Sequence, residues 1–382
     1  MSVPDVNHIL VDRQEALDAL AERLGREPAF GLDTESNSLY RYCERVCLIQ
    51  ISVPGADYVV DPLAVDPGPL RAVLASAEVQ KVMHAGEYDI MCLRRDYGFD
   101  FCNVFDTMIA ARTLGLDEIG LAPLLKQHFG VALSKRLQRA NWEQRPLPPP
   151  LLQYAALDSH YLLRLRDLLL RRLQAERKLA EAEASFQEVC RACWRPKEFD
   201  PEGYLRLSGA RKLGPRERLV LRELYRWREE AAQQVDRPPF RVARSDVLLR
   251  LSMLQPKSVS ALEMVAPRND GLVLQRAQEV LECIRRGQAA EAAEPGDSRA
   301  RRRGPSLRQR VYDRLHRWRR EQAERLGLPM EKVLASEALS ELADRRPRTR
   351  GELEALGCLA PAQLQRHGGA ILALLNADGG SE

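Results

Sequence analysis

Phe30-Gly31-Leu32-Asp33-Thr34-Glu35 is an apolar run that ends in two acids, and it decides the fold of the first part of this chain. Runs of the same kind follow at Val46–Val53 and Tyr58–Val60, and Lys81–His84 continues the series. Short, turn-bounded runs that are rich in β-branched residues predict strands of a sheet buried on at least one face.

Segments with helical periodicity are interspersed with these strands. The predicted helices cover 15–24, 69–76, 87–96 and 105–114, and a long one runs from Leu151 to about Ala182. The proline-rich segment 145–150 cannot be helical and ends just before that last helix. Mixed strands and helices predict an α/β layered domain, which we assign to residues 1–195.

The second half of the chain is almost wholly helical and contains a repeat. A shift of 91 residues aligns 224–263 with 315–354 without a gap, and 14 of the 40 positions are identical, including Trp227/Trp318 and Arg228/Arg319. Such self-similarity predicts a duplicated module. With the α/β domain, this predicts three domains, the two modules covering 214–289 and 305–378.

Composition narrows the class of protein. The 382 residues are 45% hydrophobic, which excludes global disorder. The longest apolar stretches, such as Ala370–Leu375, are far shorter than the roughly 20 residues of a membrane span. The N-terminus shows no secretory signal, and the eight cysteines have no framework spacing, so we expect a cytoplasmic protein without a membrane partner.

Five residues of the first domain are candidates for chemistry, although each has an ordinary structural interpretation when it is taken alone. Asp33 and Glu35 lie two apart in a strand, so both carboxylates face one side. Asp89 lies where a strand gives way to a helix, and the four-residue spacing of Tyr154 and Asp158 puts them on one helical face. Two neighbouring carboxylates repel one another unless a cation lies between them, so Asp33 and Glu35 suggest a divalent metal site, and the alternative is an ordinary strand end. For Asp89 the alternative is a helix cap, and for the Tyr154 and Asp158 pair it is a chance spacing.

The order of these acids and the sequence motifs around them resemble those of a known enzyme family. The motifs are Gly31-Leu32-Asp33-Thr34-Glu35, Leu48-Ile49-Gln50-Ile51-Ser52, His84-Ala85-Gly86, Phe105-Asp106-Thr107 and Tyr154-Ala155-Ala156-Leu157-Asp158. The set resembles the tyrosine-bearing subclass of the DEDD exonuclease superfamily, as found in bacterial ribonuclease D. The duplicated module, with Trp-Arg-x-x-x-Ala and Arg-Pro-Pro-Phe-Arg-Val, resembles the HRDC (helicase and RNase D C-terminal) domain.

The resemblance implies an α/β fold of ribonuclease H type with a mixed sheet, followed by two all-α HRDC bundles. It further implies that Asp33, Glu35, Asp89 and Asp158 hold two divalent ions. Oxygen ligands favour Mg²⁺ or Mn²⁺, and two such ions can activate a water and stabilise the leaving oxygen of a phosphodiester. Tyr154 would orient the attacking water, because a phenol with a pKa near 10 is a poor base at neutral pH.

The charge is unevenly distributed. Residues 1–200 carry a net −5 and residues 201–382 a net +9, and ten arginines lie between Arg299 and Arg320. A basic patch binds phosphates without regard to sequence, so we expect nucleic-acid contacts there, and the alternative is a solvated helix face. The candidate contacts are Arg301, Arg302, Arg303, Arg308 and Arg310.

Other conspicuous residues receive structural interpretations. We expect His84, Asp106 and Gln50 to support the fold, and Trp227 and Trp318 to pack in the module cores. The pair Cys190-x-x-Cys193 has no second pair or histidine at zinc spacing, so neither zinc nor redox chemistry is expected.

The hypothesis that unites these observations is a metal-dependent 3′→5′ exoribonuclease. It would release mononucleotides from RNA with a single-stranded 3′ end, such as tRNA precursors, as a monomer with two Mg²⁺ or Mn²⁺ ions and no small-molecule cofactor. Two alternatives stay open: a 3′→5′ DNA exonuclease, and a non-catalytic nucleic-acid-binding protein that acts through its HRDC domains.

Overall fold

The computed structural model describes residues 6–133, 137–194, 196, 198–266, 271–290, 307–326, 330–359 and 361–376. The predicted Arg301, Arg302 and Arg303 lie outside these residues. The chain divides into two compact units, Met1–Ala290 and Glu291–Glu382. The first unit holds the α/β domain and the first helical module, and the second holds the second module.

A six-stranded mixed sheet forms the centre of the α/β domain. Its strands are β1 (His8–Val11), β2 (Ala29–Ser36), β3 (Val46–Val53), β4 (Ala56–Val60), β5 (Gln80–Met83) and β6 (Val104–Asp106). Their order across the sheet is β1-β4-β3-β2-β5-β6, and β3 runs antiparallel to both of its neighbours. Every residue of β3 is buried, as expected of a strand with helices on both faces.

Two layers of helices cover the sheet. They are α1 (Gln14–Leu24), α2 (Arg71–Ala75), α3 (Glu87–Tyr97), α4 (Thr107–Thr113), α5 (Leu121–Phe129), α6 (Pro149–His160), α7 (Leu162–Ala175) and α8 (Leu179–Cys190). Helices α1 to α3 share one hydrophobic core with the sheet, and α4 to α7 share the other with most of α8. The predicted α/β class with a mixed sheet is confirmed.

The structure corrects three predictions of secondary structure. The helix expected over 151–182 is three helices, because the chain turns at Tyr161, whose ring stacks on Phe129, and again at Arg177, whose φ is positive. The helix expected from Phe105 begins only after the short strand β6, whose last residue caps it. Strand β1 was missed, because two of its four residues are exposed and the run reads as irregular.

The first helical module consists of α9 (Pro215–Gln234), α10 (Pro239–Val242), α11 (Ser245–Leu254), α12 (Val259–Val265), α13 (Gly271–Gln275) and α14 (Ala277–Ala289). Its core contains Trp227, whose indole N–H donates to Glu279 at 2.9 Å. Arg228 is buried as well, and its guanidinium donates to the carbonyl of Ala243 at 3.5 Å.

The second module consists of α15 (Leu307–Leu326), α16 (Met330–Val333), α17 (Ser336–Arg345), α18 (Arg350–Ala355) and α19 (Pro361–Asn376). Trp318 lies in its core, and buried Arg319 donates to the carbonyl of Leu334 at 3.0 Å. Leu334 stands 91 residues after Ala243, the offset of the repeat, so both copies close around the same internal contact. In the described part of the chain no helix is long and apolar enough to cross a membrane.

Candidate functional site

Strand β2 carries the first two acids to one face of the sheet. Asp33 lies opposite Gln50 of β3, and Glu35 lies opposite Leu48. Residues two apart in a strand share a face, and Leu48 belongs to the core beneath α4 to α7. Asp33 and Glu35 therefore point toward the helical layer that contains α6.

A glycine lets α6 approach that face. A Cβ at Gly31 would lie 2.8 Å from the carbonyl oxygen of Ser159, so a larger side chain there would push the helix away. The Ser159 hydroxyl lies 2.7 Å from the Ser52 hydroxyl on β3, which fixes the same end of α6. The close approach places Asp158, one residue earlier, beside the acids of β2.

Helix α3 supplies the fourth acid. Asp89 lies in its first turn, and the Thr34 hydroxyl on β2 donates a hydrogen bond to its carboxylate. The turn before α3 is held by Asp106, which accepts from the backbone N–H groups of Ala85 and Gly86 at 3.2 and 2.8 Å and also caps α4. Asp106 thus has the structural role predicted for it.

One pocket of about 480 Å³ joins most of the predicted residues. Its polar lining comes from Asp33, Glu35, Tyr154, Asp158, His84 and Gln138, and its apolar wall includes the beginning of α5. Asp89 does not line it and is turned onto Thr34 instead.

Sequence reasoning missed two of these lining residues. His84 was expected to be purely structural, and its Nδ1 lies 2.9 Å from the Thr107 hydroxyl, yet the ring also faces the pocket. Its position at the end of β5, five residues before Asp89, was an available signal. Gln138 follows a segment without periodicity, so no sequence pattern pointed to it.

The four acids in and beside the pocket disfavour one another's ionisation, as their pKa values show. Burial, reinforced by the charges of Asp89, Asp158 and Glu35, holds the pKa of Asp33 well above its usual range. Burial and the charges of Asp158 and Asp89 raise the pKa of Glu35 to about 9. Burial likewise raises the pKa of Asp158 to about 7 and that of Asp89 to about 6.

The two other titratable groups of the pocket are neutral at pH 7. Burial, followed by the charges of Asp158 and Glu35, raises the pKa of Tyr154 above its ordinary value, so its phenol keeps its proton and bonds to Asp158. Burial lowers the pKa of His84 to about 4. The ring of Tyr154 packs 6.0 Å from Trp142, centroid to centroid, which limits its rotation.

The donor set fits a hard divalent cation. Asp33, Glu35, Asp89 and Asp158 offer only oxygen, which Mg²⁺ and Mn²⁺ prefer, and a cation would relieve the repulsion that raises their pKa values. Across the described residues, no three His, Cys, Asp or Glu side chains already converge closely enough to hold an ion.

Two of the predicted arginines, Arg308 and Arg310, are described by the structure, and both belong to the second unit. Arg308 donates to Asp344 through both Nε and Nη2, the latter at 3.1 Å, so its charge is already paired. Arg310 is exposed on α15.

Comparisons with known proteins agree with this geometry. Residues 8–174 match the family model described as 3'-5' exonuclease, and residues 217–284 and 308–375 each match the HRDC domain. The chain thus consists of a DEDD-type 3′-5′ exonuclease domain followed by two HRDC domains, and its homologues include both ribonuclease D and RRP6.

Three relatives illustrate that range. An exosome complex component 10 homolog of Caenorhabditis elegans is 31% identical over 288 residues, which are 74% of this chain and 33% of that protein. A ribonuclease D of Gluconacetobacter diazotrophicus is 33% identical over 67% of this chain and 66% of its own. The crystal structure of the catalytic core of RRP6 from Trypanosoma brucei superposes with a TM-score of 0.69 at 28% identity, covering 75% of this chain and 82% of that one.

This chain spans a third to a half of the length of several of its curated relatives. The predicted resemblance to ribonuclease D is confirmed at the level of the exonuclease and HRDC domains. It does not separate ribonuclease D from RRP6, because proteins of both names match.

Proposed function

We propose that this protein is a metal-dependent 3′→5′ exoribonuclease that releases mononucleotides from single-stranded 3′ ends. The observation that carries the proposal is the pocket in which two strand acids, one helix acid and a protonated tyrosine meet, with Asp89 close behind. Two divalent ions bound there would supply Lewis-acid stabilisation of the developing charge on the phosphate.

Each residue of the pocket has a part in this proposal. Asp33, Glu35, Asp89 and Asp158 hold the ions, and Thr34 restrains Asp89 until it turns inward. At rest Tyr154 keeps its proton and donates a hydrogen bond to Asp158, and with substrate bound it donates a hydrogen bond to the attacking water and aligns it. Because its pKa is raised, it positions the water and does not remove the proton.

The reaction is an in-line displacement at phosphorus. The water oxygen bonds to the last phosphate while the bond from phosphorus to the preceding 3′-oxygen breaks, and a proton passes to that oxygen. The products are a nucleoside 5′-monophosphate and a shortened strand with a 3′-hydroxyl. His84, neutral at pH 7 and on the pocket wall, is placed to contact the terminal nucleotide.

We propose RNA as the substrate because both groups of relatives carry the names of RNA-processing proteins, ribonuclease D and exosome components. Transfer-RNA precursors, a cytoplasmic location and a monomeric state stay predictions. The five candidate arginines, Arg301 to Arg303, Arg308 and Arg310, are proposed to bind RNA weakly and without sequence preference.

The decisive experiment follows a 5′-labelled RNA with a single-stranded 3′ tail. We expect a ladder that shortens from the 3′ end in Mg²⁺ or Mn²⁺ and is lost in EDTA and in Asp33→Asn. A matched DNA strand distinguishes a DNA exonuclease, since an RNase should sense the 2′-hydroxyl. RNA binding without turnover under either ion would favour a non-catalytic protein instead.

A further inference from the structure

A second groove lies at the junction of the exonuclease domain and the first HRDC domain. It measures about 620 Å³ and is lined from the exonuclease domain by Tyr40, Arg41, Asn141 and Glu143. From the HRDC domain it is lined by the segment 235–244, which contains the short helix α10. None of the five candidate arginines belongs to it.

Two chain segments connect this groove to the active-site pocket. The first segment begins at the end of β2, where Glu35 lines the pocket, and continues to Tyr40, which lines the groove. In the second segment, Gln138 lines the pocket and Asn141 lines the groove. A chain spans at most about 3.6 Å per residue, so these pairs are within about 18 Å and 11 Å of each other. The groove is thus a few nucleotides from the catalytic acids.

Specific contacts hold the two domains together at this point. Asp236 accepts from the backbone N–H groups of Tyr42 and Cys43 at 3.1 and 3.2 Å, and the Tyr42 hydroxyl donates to Glu229 at 2.6 Å. The guanidinium of Arg241 lies 4.1 Å from the centre of the Tyr40 ring and donates to the carbonyl of Leu39. The groove therefore has a defined wall from each domain.

The acids of the groove are already used, but its cations are in excess. Glu143 accepts from Arg41 and Arg45 at 2.6 and 2.8 Å, and hydrogen bonds from these two arginines lower its pKa. Asp236 accepts from Arg41 at 3.2 Å in addition to the two backbone groups. Both acids are therefore compensated by neighbours inside the protein.

Four arginines line the groove with these two acids, namely Arg41, Arg237, Arg241 and Arg244, so the lining carries a net +2. Arg244 also forms an ion pair at 3.5 Å with Asp246, which lies outside the lining. Arg237 is exposed, and among the described residues it makes no ion pair. Phe240, between these cations, exposes 50% of its surface. An exposed aromatic ring among arginines is the combination that binds single-stranded nucleic acid by stacking and phosphate neutralisation.

We propose that this groove binds the phosphates and one base of the single strand a few nucleotides before the 3′ end that occupies the active site. Arg237 and Arg244 neutralise phosphates, and Phe240 stacks on a base. The proposal rests on the exonuclease function proposed above and adds a second contact along the same strand. It makes the first HRDC domain part of the substrate-binding surface.

The test compares Arg237→Gln/Arg244→Gln and Phe240→Ala with the unchanged protein. Binding of a fluorescent single-stranded RNA of about a dozen nucleotides is measured in EDTA, where no hydrolysis interferes, over a range of salt concentrations. Phe240→Ala should weaken binding roughly tenfold, as loss of one stacked base does. The double arginine variant should reduce the dependence of log K on log salt by about 1.4, which is two single-strand phosphate contacts.

Arg285→Gln is the matched control, since it removes one exposed arginine from the same domain outside the groove. Unlike the groove variants, it should leave both the affinity for RNA and its salt dependence unchanged. In Mn²⁺, the groove variants should also lower kcat/KM for the long strand more than for a dinucleotide, which is too short to reach both sites.

The outcomes separate the two proposals. Unchanged affinity and salt dependence in both groove variants would overturn the groove, even if the protein degrades RNA. An absence of hydrolysis together with weakened binding in the variants would overturn the exonuclease function and leave the groove as a nucleic-acid site.

Discussion

Gln50 lies directly opposite Asp33 in the antiparallel pair of β3 and β2, so its side chain shares the face that carries the acids. The side chain is fully buried, and within the described residues neither its amide nitrogen nor its amide oxygen has a hydrogen-bond partner. A buried polar group without a partner costs about 1–3 kcal/mol of stability. The buried amide of Gln50, for which a structural role was predicted, therefore lowers the stability of the folded protein.

Replacing Gln50 with Met should raise the free energy of unfolding by about 1–3 kcal/mol in EDTA, because the volume is nearly kept and the unpaired amide is removed. Urea titration measures this change. Ser52→Ala is the control on the same strand and face, and it should destabilise the protein, because it breaks bonds of 2.6 and 2.7 Å to Asp57 and Ser159. Destabilisation by Gln50→Met would show that the amide has a partner in solution.

The approach of α6 to the sheet makes Gly31 sensitive to substitution. Gly31→Ala should cost about 1–3 kcal/mol of stability, because its Cβ would lie 2.8 Å from the carbonyl oxygen of Ser159. It should also lower kcat, since Asp158 would move with the helix. Gly25→Ala, at a helical φ of −63° and with a nearest contact of 3.5 Å, should leave both quantities nearly unchanged. Equal effects of the two substitutions would contradict this account of the packing.

The raised pKa values of the acids predict that the metal-free protein loses stability as pH rises. Glu35 titrates at about 9 in the folded chain against an ordinary 4.5, so the folded state binds its proton more tightly. The stabilisation is complete below about pH 4.5 and is lost as pH rises through 9. Asp158, with a pKa raised to about 7, acts in the same direction.

Thermal unfolding in EDTA should therefore give a Tm that falls between pH 7 and 9, and Mn²⁺ should raise it most at the alkaline end. Glu35→Gln should flatten the fall. The comparison with this variant matters because the pKa of buried Lys81 is lowered from 10.5 to about 8, so its contribution to stability increases from about pH 8 upward and overlaps the upper part of this interval. If Tm in EDTA falls equally steeply with pH in both proteins, Glu35 is not the source of the fall.

Tyr154→Phe tests the positioning of the attacking water. The phenyl ring can keep its packing against Trp142, so KM and Mn²⁺ affinity should stay close to those of the unchanged protein. The rate should fall by about 10²-fold, the lower end of what loss of one positioned hydrogen-bond donor costs. Because the raised pKa keeps the phenol protonated, the pH profile of kcat should keep its shape. Complete loss of turnover would contradict a role limited to aligning the water and would show that Tyr154 is essential to the chemical step.

The local patterns of this chain were readable, but their assembly in space was not. The alternation of Asp33 and Glu35 and the helical spacing of Tyr154 and Asp158 follow from backbone geometry, and they predicted which side chains face the same way. The distance between them depends on Gly31 and Ser159, which are far apart in sequence and contact each other only after folding. The break at Tyr161 coincides with the stacking of its ring on Phe129, a tertiary contact that no local periodicity records.

The same limitation explains the missed surfaces. The junction groove combines Tyr40 with Arg241, separated by about two hundred residues, and Gln138 carries no pattern at all. Helical periodicity and self-similarity were enough to define the duplicated modules, because each of them is made largely of neighbouring contacts.

The buried arginine in each module has a consequence for how the two copies can change. Arg228 and Arg319 each donate a hydrogen bond to a carbonyl of their own bundle, at equivalent positions of the repeat. Each copy therefore makes this buried contact with its own residues. A substitution on the surface of one module leaves the buried arginine contact of both modules intact. The surfaces of the two copies can therefore diverge separately without loss of either core.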